Sequence, residues 1–510
     1  MPTYLSPGVY MEEVSSGSRP IEGVGTAVAA FVGFAEQGPV NEPVLVTNWT
    51  QFTQTFGGFV KDAYLAHSVY GYFLNGGGSA YVVRIGGNGA STEAEASVAQ
   101  AQLPAAVEGR APLVLRALAA GAGADDPVTV EVGDAAEPGE ETFRLTIRRG
   151  AHEEVFDNLS TRRGANNVVT ALRASKLVTV EETRGGALAT PRKGVQVALA
   201  NGGSPAPRTV SPEEYVGDAA DRTGFAGLEA IDDITMLCVP DLMTAYQAGA
   251  IDDDGLKAVQ LAMIAHCELM SDRVAVLDPP PRLKPQRLKD WRLNVAGYDS
   301  KYATLYWPWL KVLDPRTGKP IMVPPSGHVA GIWARNDDTR GVHKAPANEI
   351  VRGAIELEFG LTRGEHDQLN PIGINCIRAF PGQGIRIWGA RTLSSDPEWR
   401  YLNVRRLFNF VEKSILNGTN WVVFEPNDQF LWAAVRRTIS AFLRRVWRSG
   451  ALFGQSAEQA FYVKVDEENN PEENRDAGIL TVDVGIAPVK PAEFVVFRLS
   501  QFSQGAALEE

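Results

Sequence analysis

Apolar residues fall along this chain in two rhythms. Short runs without polar alternation recur at TAVAAFVGFA (26–35), LVT (45–47), AYVVRI (80–85), ITMLCVP (234–240), RVAVLD (273–278) and ATLYWPWLKVL (303–313). Runs of that length and texture predict strands buried on both faces, and Pro308 predicts a break in the last one. Between them the period lengthens. YLAHSVYGYFLNGGG (64–78) sets Leu65, Val69, Tyr72 and Phe73 on one stripe and stops at glycine. LKAVQLAMIAHCELM (256–270) follows the acidic cap Asp252–Asp254. Strand–helix–strand alternation predicts an α/β core, a mixed or parallel sheet with helices on both faces.

The texture changes between about 88 and 225. Small residues dominate, Trp is absent, and short alternating runs appear at VTVEV (128–132) and FRLTIRR (143–149). This predicts an inserted, β-rich domain. Beyond the core, CIRAF (376–380) and GIRIWGARTL (384–393) predict strands joined by a tight PGQG turn. A helix (397–417), a strand WVVFE (421–425), a longer helix (427–449) and the strands FYVKV (461–465), ILTVDVGIA (479–487) and EFVVFRL (493–499) follow; DEENNPEEN (466–474) reads as an exposed loop. Pro2, Pro7, Gly8 and Pro20 make the first twenty residues an extended arm. The expected organisation is an arm at 1–22, a core from 23–88 and 226–395, an insertion at 89–225, a C-terminal domain at 396–492, and a C-terminal arm or strand at 493–510.

Composition narrows the function. The 510 residues carry 49 Lys and Arg against 61 Asp and Glu, a net charge of −12, which argues against nucleic acid as the main partner. Three cysteines cannot build a disulfide framework. MPTYLSPGVYMEEV has neither a basic nor an apolar leader region, and no run of about 18 apolar residues exists, so neither a secretory signal nor membrane insertion is expected.

Catalytic sets are weak. Asp278, His328 and a serine can be put in Asp–His–Ser order, but Ser326 sits beside His328 in PPSGH and G-x-S-x-G is absent. Ser326 reads more simply as the cap of a helix starting there. His266 and Cys267 point about 100° apart on a helix. GGNGA (86–90) and TGKP (317–320) fail as phosphate loops. Asp232–Asp233 and Asp337–Asp338 read as caps and solvated loops. No catalytic, cofactor or metal site is expected.

Two features remain. On 427–449, Leu431, Val435, Ile439, Phe442 and Val446 form one stripe, with Arg436, Arg437, Arg444, Arg445 and Arg448 clustered opposite. A basic face on an acidic protein suits docking to an acidic partner, and Arg405–Arg406 is the next candidate face. At the ends, Val9, Tyr10 and Met11, and Phe494, Val495, Val496 and Phe497, lie in strand-competent segments able to extend a neighbour's sheet.

Together these residues resemble the contractile tail sheath protein family. YLSPGVYMEEV, AAFVGFAEQGP (29–39), FTQTFGG (52–58) and FLNGGGSAYVVRI (73–85) resemble the family's opening. VPPSGHVAGIWARND (323–337), GVHKAPANE (341–349), WGARTL (388–393), WRYLNVRRLF (399–408), WVVFEPND (421–428) and GIAPVKPAEFVVF (485–497) resemble its C-terminal half. The resemblance implies a subtilisin-like sheath core without catalysis, an outward-facing insertion, and arms that add strands to neighbouring subunits. It implies stacked six-membered rings around an inner tube, which contract to drive the tube through a target envelope. Expected partners are further copies of the chain, the inner tube protein, and baseplate and terminal cap proteins, with no nucleic acid. Assembly is expected in the bacterial cytoplasm, in an extracellular-type injection particle or a phage tail.

Overall fold

A computed structural model of the protein describes residues 20–86 and 210–498 continuously, and between them 100–106, 112–118, 128–137, 139, 141–150, 152–162, 164, 166–180 and 189–199. The chain is α/β. Eight strands form the central sheet, in the spatial order Gly384–Ile387, Ile374–Phe380, Ala303–Trp307, Val274–Leu277, Met236–Cys238, Val28–Gly33, Ser79–Arg84 and Val44–Val46. The inner pairs are parallel, and both edge strands run antiparallel to their neighbours.

Burial on two faces explains the unbroken apolar runs. Alternate residues of Val28–Gly33 point to opposite cores: Ala30 and Val32 to one, Ala29 and Phe31 to the other. The first core is covered by helices including Leu242–Gln247 and Asp253–Met270. The second is covered by Trp49–Phe56, Leu65–Asn75 and Ser326–Arg340. Leu65–Asn75 and Ser326–Arg340 cross at close range because Gly327 and Gly331 have no side chain. A Cβ on Gly331 would lie 2.3 Å from the Tyr72 carbonyl oxygen. The chain leaves the sheet at Pro308 and forms a small antiparallel sheet of Leu310–Leu313, Pro320–Val323 and Ala354–Leu357.

Residues described between 100 and 199 form two antiparallel sheets. One holds Gln196–Ala198, Thr129–Gly133, Thr142–Arg149 and His152–Ser160, the other Gln100–Leu103, Leu113–Ala117 and Val178–Val180. They share a core of residues such as Leu115, Val130, Phe143 and Ile147. Val210, Tyr215 and Phe225, by contrast, pack in the central core.

Past the sheet, helices Leu402–Gly418 and Gln429–Arg448 and the antiparallel pair Phe461–Lys464 with Asp483–Ile486 enclose a separate core. WVVFE is not a strand: Asn420–Val422 is a 3₁₀ turn, and Phe424 takes φ +70° ahead of Pro426. Among the described residues no sheet partner lies alongside, so the β-propensity of these residues goes unused. The charged 466–474 loop is not wholly exposed either. Asn470 is buried, and its side chain bonds the backbone of Thr481.

Candidate functional site: arm roots and a basic helix

In open α/β sheets, ligands bind beyond the carboxyl ends of the strands, where helix N-termini offer free N–H groups. Here two of the chain's own carboxylates occupy such positions. Asp241 accepts from the backbone N–H of Phe34 (2.6 Å), Leu65 (3.2 Å) and Tyr64, and from the Thr244 hydroxyl (2.9 Å). Asp278 accepts from the Ser326 N–H (2.9 Å) and hydroxyl (2.6 Å). Neither residue is ion-paired among the described residues, and burial pushes their carboxyls up to about 6 and about 7. Ser326 therefore does not cap its helix; Asp278 does, from the end of a neighbouring strand. His328 lies against Gly71, its Nδ1 lacks a hydrogen-bond partner among the described residues, and burial lowers its pKa to about 4. Asp278, Ser326 and His328 thus form no relay. Among the described residues no three His, Cys, Asp or Glu side chains come together as a metal site, and no helix is long and apolar enough to cross a membrane.

The basic helix divides in two. By 100° per residue, Arg444 and Arg448 lie about 20° to either side of Arg437, opposite the buried stripe. These three are exposed, and among the described residues none is hydrogen-bonded or ion-paired. Arg436 and Arg445 are also exposed but sit on the flanks. Arg436 donates to the Val465 carbonyl and Arg445 to the Ile21 carbonyl. The outward stripe is Arg437, Arg444 and Arg448, joined by Phe430, which is 86% exposed. Beyond the helix start, Phe424 is fully exposed. Arg405 and Arg406 cannot be an alternative face, because both are buried. Arg405 stacks on Trp399 and Tyr302 and bonds Asn409, while Arg406 makes a two-bond ion pair with Asp337. Asp337 is accordingly not a solvated loop residue.

Both chain ends root near these helices. Val9, Tyr10 and Met11 lie outside the described residues. Ile21, fully buried, packs where a Cβ on Gly418 would stand, 2.6 Å from its side chain. Val24 N–H donates to Ser414 Oγ (3.1 Å), and Thr26 bonds Asp337 (2.7 Å) and Arg406 (3.0 Å). Beside this root lies a cleft of about 300 Å³ lined by Thr26, Tyr81, Asp272, Arg406, Phe410 and Lys413. At the other end, Val489 N–H bonds the Ala451 carbonyl, and Glu493 is held by Arg391, Asn370 and Tyr401. Phe494, Val495, Val496 and Phe497 are 73, 68, 77 and 85% exposed and, among the described residues, unbonded. Sequence reasoning missed Ile21, Asp337, Arg391 and Glu493; only the isolated apolar Ile21 between Pro20 and Gly23 offered a signal.

Two family models match in tandem, the phage tail sheath protein central domain over residues 225–393 and the phage tail sheath C-terminal domain over 394–502. The tail sheath protein of Vibrio phage KVP40 is 30% identical over 308 residues, 56% of this chain and 45% of that protein's own length. The tail sheath protein of Burkholderia phage BcepMu is 23% identical over 521 residues, 96% of this chain and 95% of that protein. The helical sheath of the anti-feeding prophage in its contracted state superposes with a TM-score of 0.59 at 23% identity, covering 98% of this chain and all of the other.

Proposed function

We propose that this chain, which belongs to the phage tail sheath protein family, is a structural, non-enzymatic subunit of the contractile sheath of a phage tail or tail-like injection particle. One observation carries the proposal. Both described ends are rooted beside one small domain whose sheet, among the described residues, has two strands, and one end continues as an exposed apolar segment that is unbonded among the described residues. Unpaired sheet edges and unpaired extended segments complement each other between copies. Repeated head to tail, such contacts generate helical filaments.

In the finer reading, subunits stack as six-membered rings around an inner tube. Val9, Tyr10 and Met11 of one copy and Phe494–Phe497 of another add strands to the Phe461–Lys464 and Asp483–Ile486 pair. The Arg437, Arg444 and Arg448 stripe docks reversibly on an acidic tube surface, with Arg436 and Arg445 at its flanks. Single exposed ion pairs contribute only about 0–1 kcal/mol, so attachment rests on repetition along the tube. Contraction releases that contact while the arms keep neighbours linked. The 89–225 insertion faces outward from the core of 23–88 and 226–395, and the 396–492 domain carries the arms. Baseplate and terminal cap proteins bound the assembly, which forms in the cytoplasm; an extracellular-type injection particle is favoured over a phage tail.

Negative-stain electron microscopy of the purified chain, alone and with its tube protein, tests this. Striated hollow cylinders are expected. Monodisperse monomers under both conditions would overturn it.

A further inference from the structure

We propose that Arg391, Asn370 and Tyr401 form a receptor that tethers the C-terminal arm through Glu493 and so fixes where, and in which direction, Phe494–Phe497 leave the subunit. The inference rests on the sheath reading above and names the residues that aim its arm.

Four donors converge on one carboxylate. Arg391 gives Nε to Oε1 (2.8 Å) and Nη2 to Oε2 (2.6 Å), Asn370 Nδ2 gives to Oε1 (2.7 Å), and the Tyr401 hydroxyl gives to Oε2 (3.1 Å). A paired fork of this kind fixes orientation as well as position. Burial pushes the Glu493 carboxyl up, but the hydrogen bonds from Arg391 and Asn370 overcome it and hold the group below the usual range.

The receptor is itself held rigidly by the central sheet. Arg391 N–H donates to Asn375 Oδ1 (2.7 Å), and its carbonyl accepts from Asn375 Nδ2 (2.8 Å) and Thr304 Oγ1 (3.0 Å). Its remaining guanidinium nitrogen, Nη1, donates to the Asn370 carbonyl (3.2 Å). The guanidinium therefore waits in one place whether or not the arm is seated.

The arm is stitched at two points before it is free. Val489 bonds Ala451 (3.1 Å) and accepts from Asn403 (3.1 Å), both in the C-terminal domain. Glu493 then lands on residues of the central sheet's end. Pro491 stiffens the span between the two points. Past Glu493 comes the exposed apolar run Phe494–Phe497. Tension applied to the arm by a neighbouring copy would thus reach the central sheet through one side chain.

The test uses the full-length chain carrying Glu493→Gln, which keeps shape and one acceptor but loses the charge. Tyr401→Phe, which keeps the ion pair, guards against a folding artefact. Two readouts are taken: pelletable polymer against protein concentration, and hydrogen exchange across 485–498. Loss of charge-assisted bonds predicts a rise of about tenfold in the concentration needed for polymer in Glu493→Gln. Exchange should accelerate only in the arm root, and Tyr401→Phe should show a smaller change in both readouts. Unchanged polymer and exchange would overturn the tether. So would exchange accelerating across the whole core, which would mark Glu493 as a general stabilising contact. If the wild-type chain forms no polymer, the sheath reading fails, and the exchange readout alone still decides for or against the tether.

Discussion

Arg406 and Asp337 form a two-bond ion pair, 3.0 Å and 2.6 Å, buried where helix Leu402–Gly418 meets the end of helix Ser326–Arg340. Thr26 bonds both partners, so the pair joins the central sheet's helices, the C-terminal domain and the N-terminal root at one point. Arg406 also stacks over Trp333, 4.7 Å from the ring centroid. Removing one partner of such a pair strands the other charge in the interior. Arg406→Ala should therefore destabilise the subunit by about 3–5 kcal/mol. Urea unfolding followed by tryptophan fluorescence checks this; a loss under 1 kcal/mol would mean that water reaches Asp337.

Stability should peak near pH 6–7. Asp278 and Asp241 titrate at about 7 and about 6 in the folded chain, above their unfolded values, so their contribution grows as pH falls toward neutrality and below. His67, His266 and His328 are lowered to about 4, chiefly by burial. The unfolded chain takes up those protons first, so stability falls again below about pH 6. Each singly occupied proton difference contributes a slope of about 1.4 kcal/mol per pH unit. In a melting-midpoint series, Asp278→Asn should flatten the limb between pH 6 and 7.5. An unaltered limb would show that Asp278 is hydrated.

The N-terminal root separates assembly from folding. Deleting residues 1–20 should leave the melting midpoint unchanged while abolishing sheath assembly. Ile21→Ala, one residue further on, should cost about 2–4 kcal/mol, because a fully buried side chain leaves a cavity against Gly418. Calorimetry of both variants distinguishes them; equal midpoints would place Ile21 outside the core that holds the fold.

The outward stripe should behave as a surface and its flanks as structure. Arg437, Arg444 and Arg448 reversed to Glu should lose co-sedimentation with tube, most strongly at low salt where the charges are least screened, without a change in melting. Arg445→Glu should in addition loosen residues 20–26 in hydrogen exchange, because Arg445 holds the Ile21 carbonyl. Unchanged tube binding by the triple variant would make the stripe solvated decoration.

Phe424 joins strain to exposure. A non-glycine residue at φ +70° with a fully exposed ring is held in place at a cost of about 1–3 kcal/mol. Phe424→Gly should leave the monomer as stable or slightly more so while weakening tube binding. A destabilised monomer with normal tube binding would give the ring a structural role instead.

Hydrophobic order along the chain was enough to read the parallel core. Strands buried on both faces must be apolar throughout, and RVAVLD and ATLYW are visible as such in isolation; LVT, by contrast, lies in an antiparallel edge strand with Leu45 exposed. The stripe on 427–449 was legible for the same reason, since Leu431, Val435, Ile439, Phe442 and Val446 repeat at the helical period. WVVFE misled because a β-rich pentapeptide becomes a strand only beside a partner, and among the described residues no strand lies alongside it. Arg406, Asp337 and Ser326 misled because a charged or hydroxyl side chain reads alike whether it meets water or a buried partner 69 or 48 residues away.

Periodicity and composition, being local, established the sheet, its covering helices and the apolar face of the basic helix. Burial of a charge depends on which distant segments meet, so pairing was invisible until the chain was folded. That is why five arginines on one helix separate into an outward stripe and two structural ties, and why one glutamate near the end of the chain is held by an arginine 102 residues earlier.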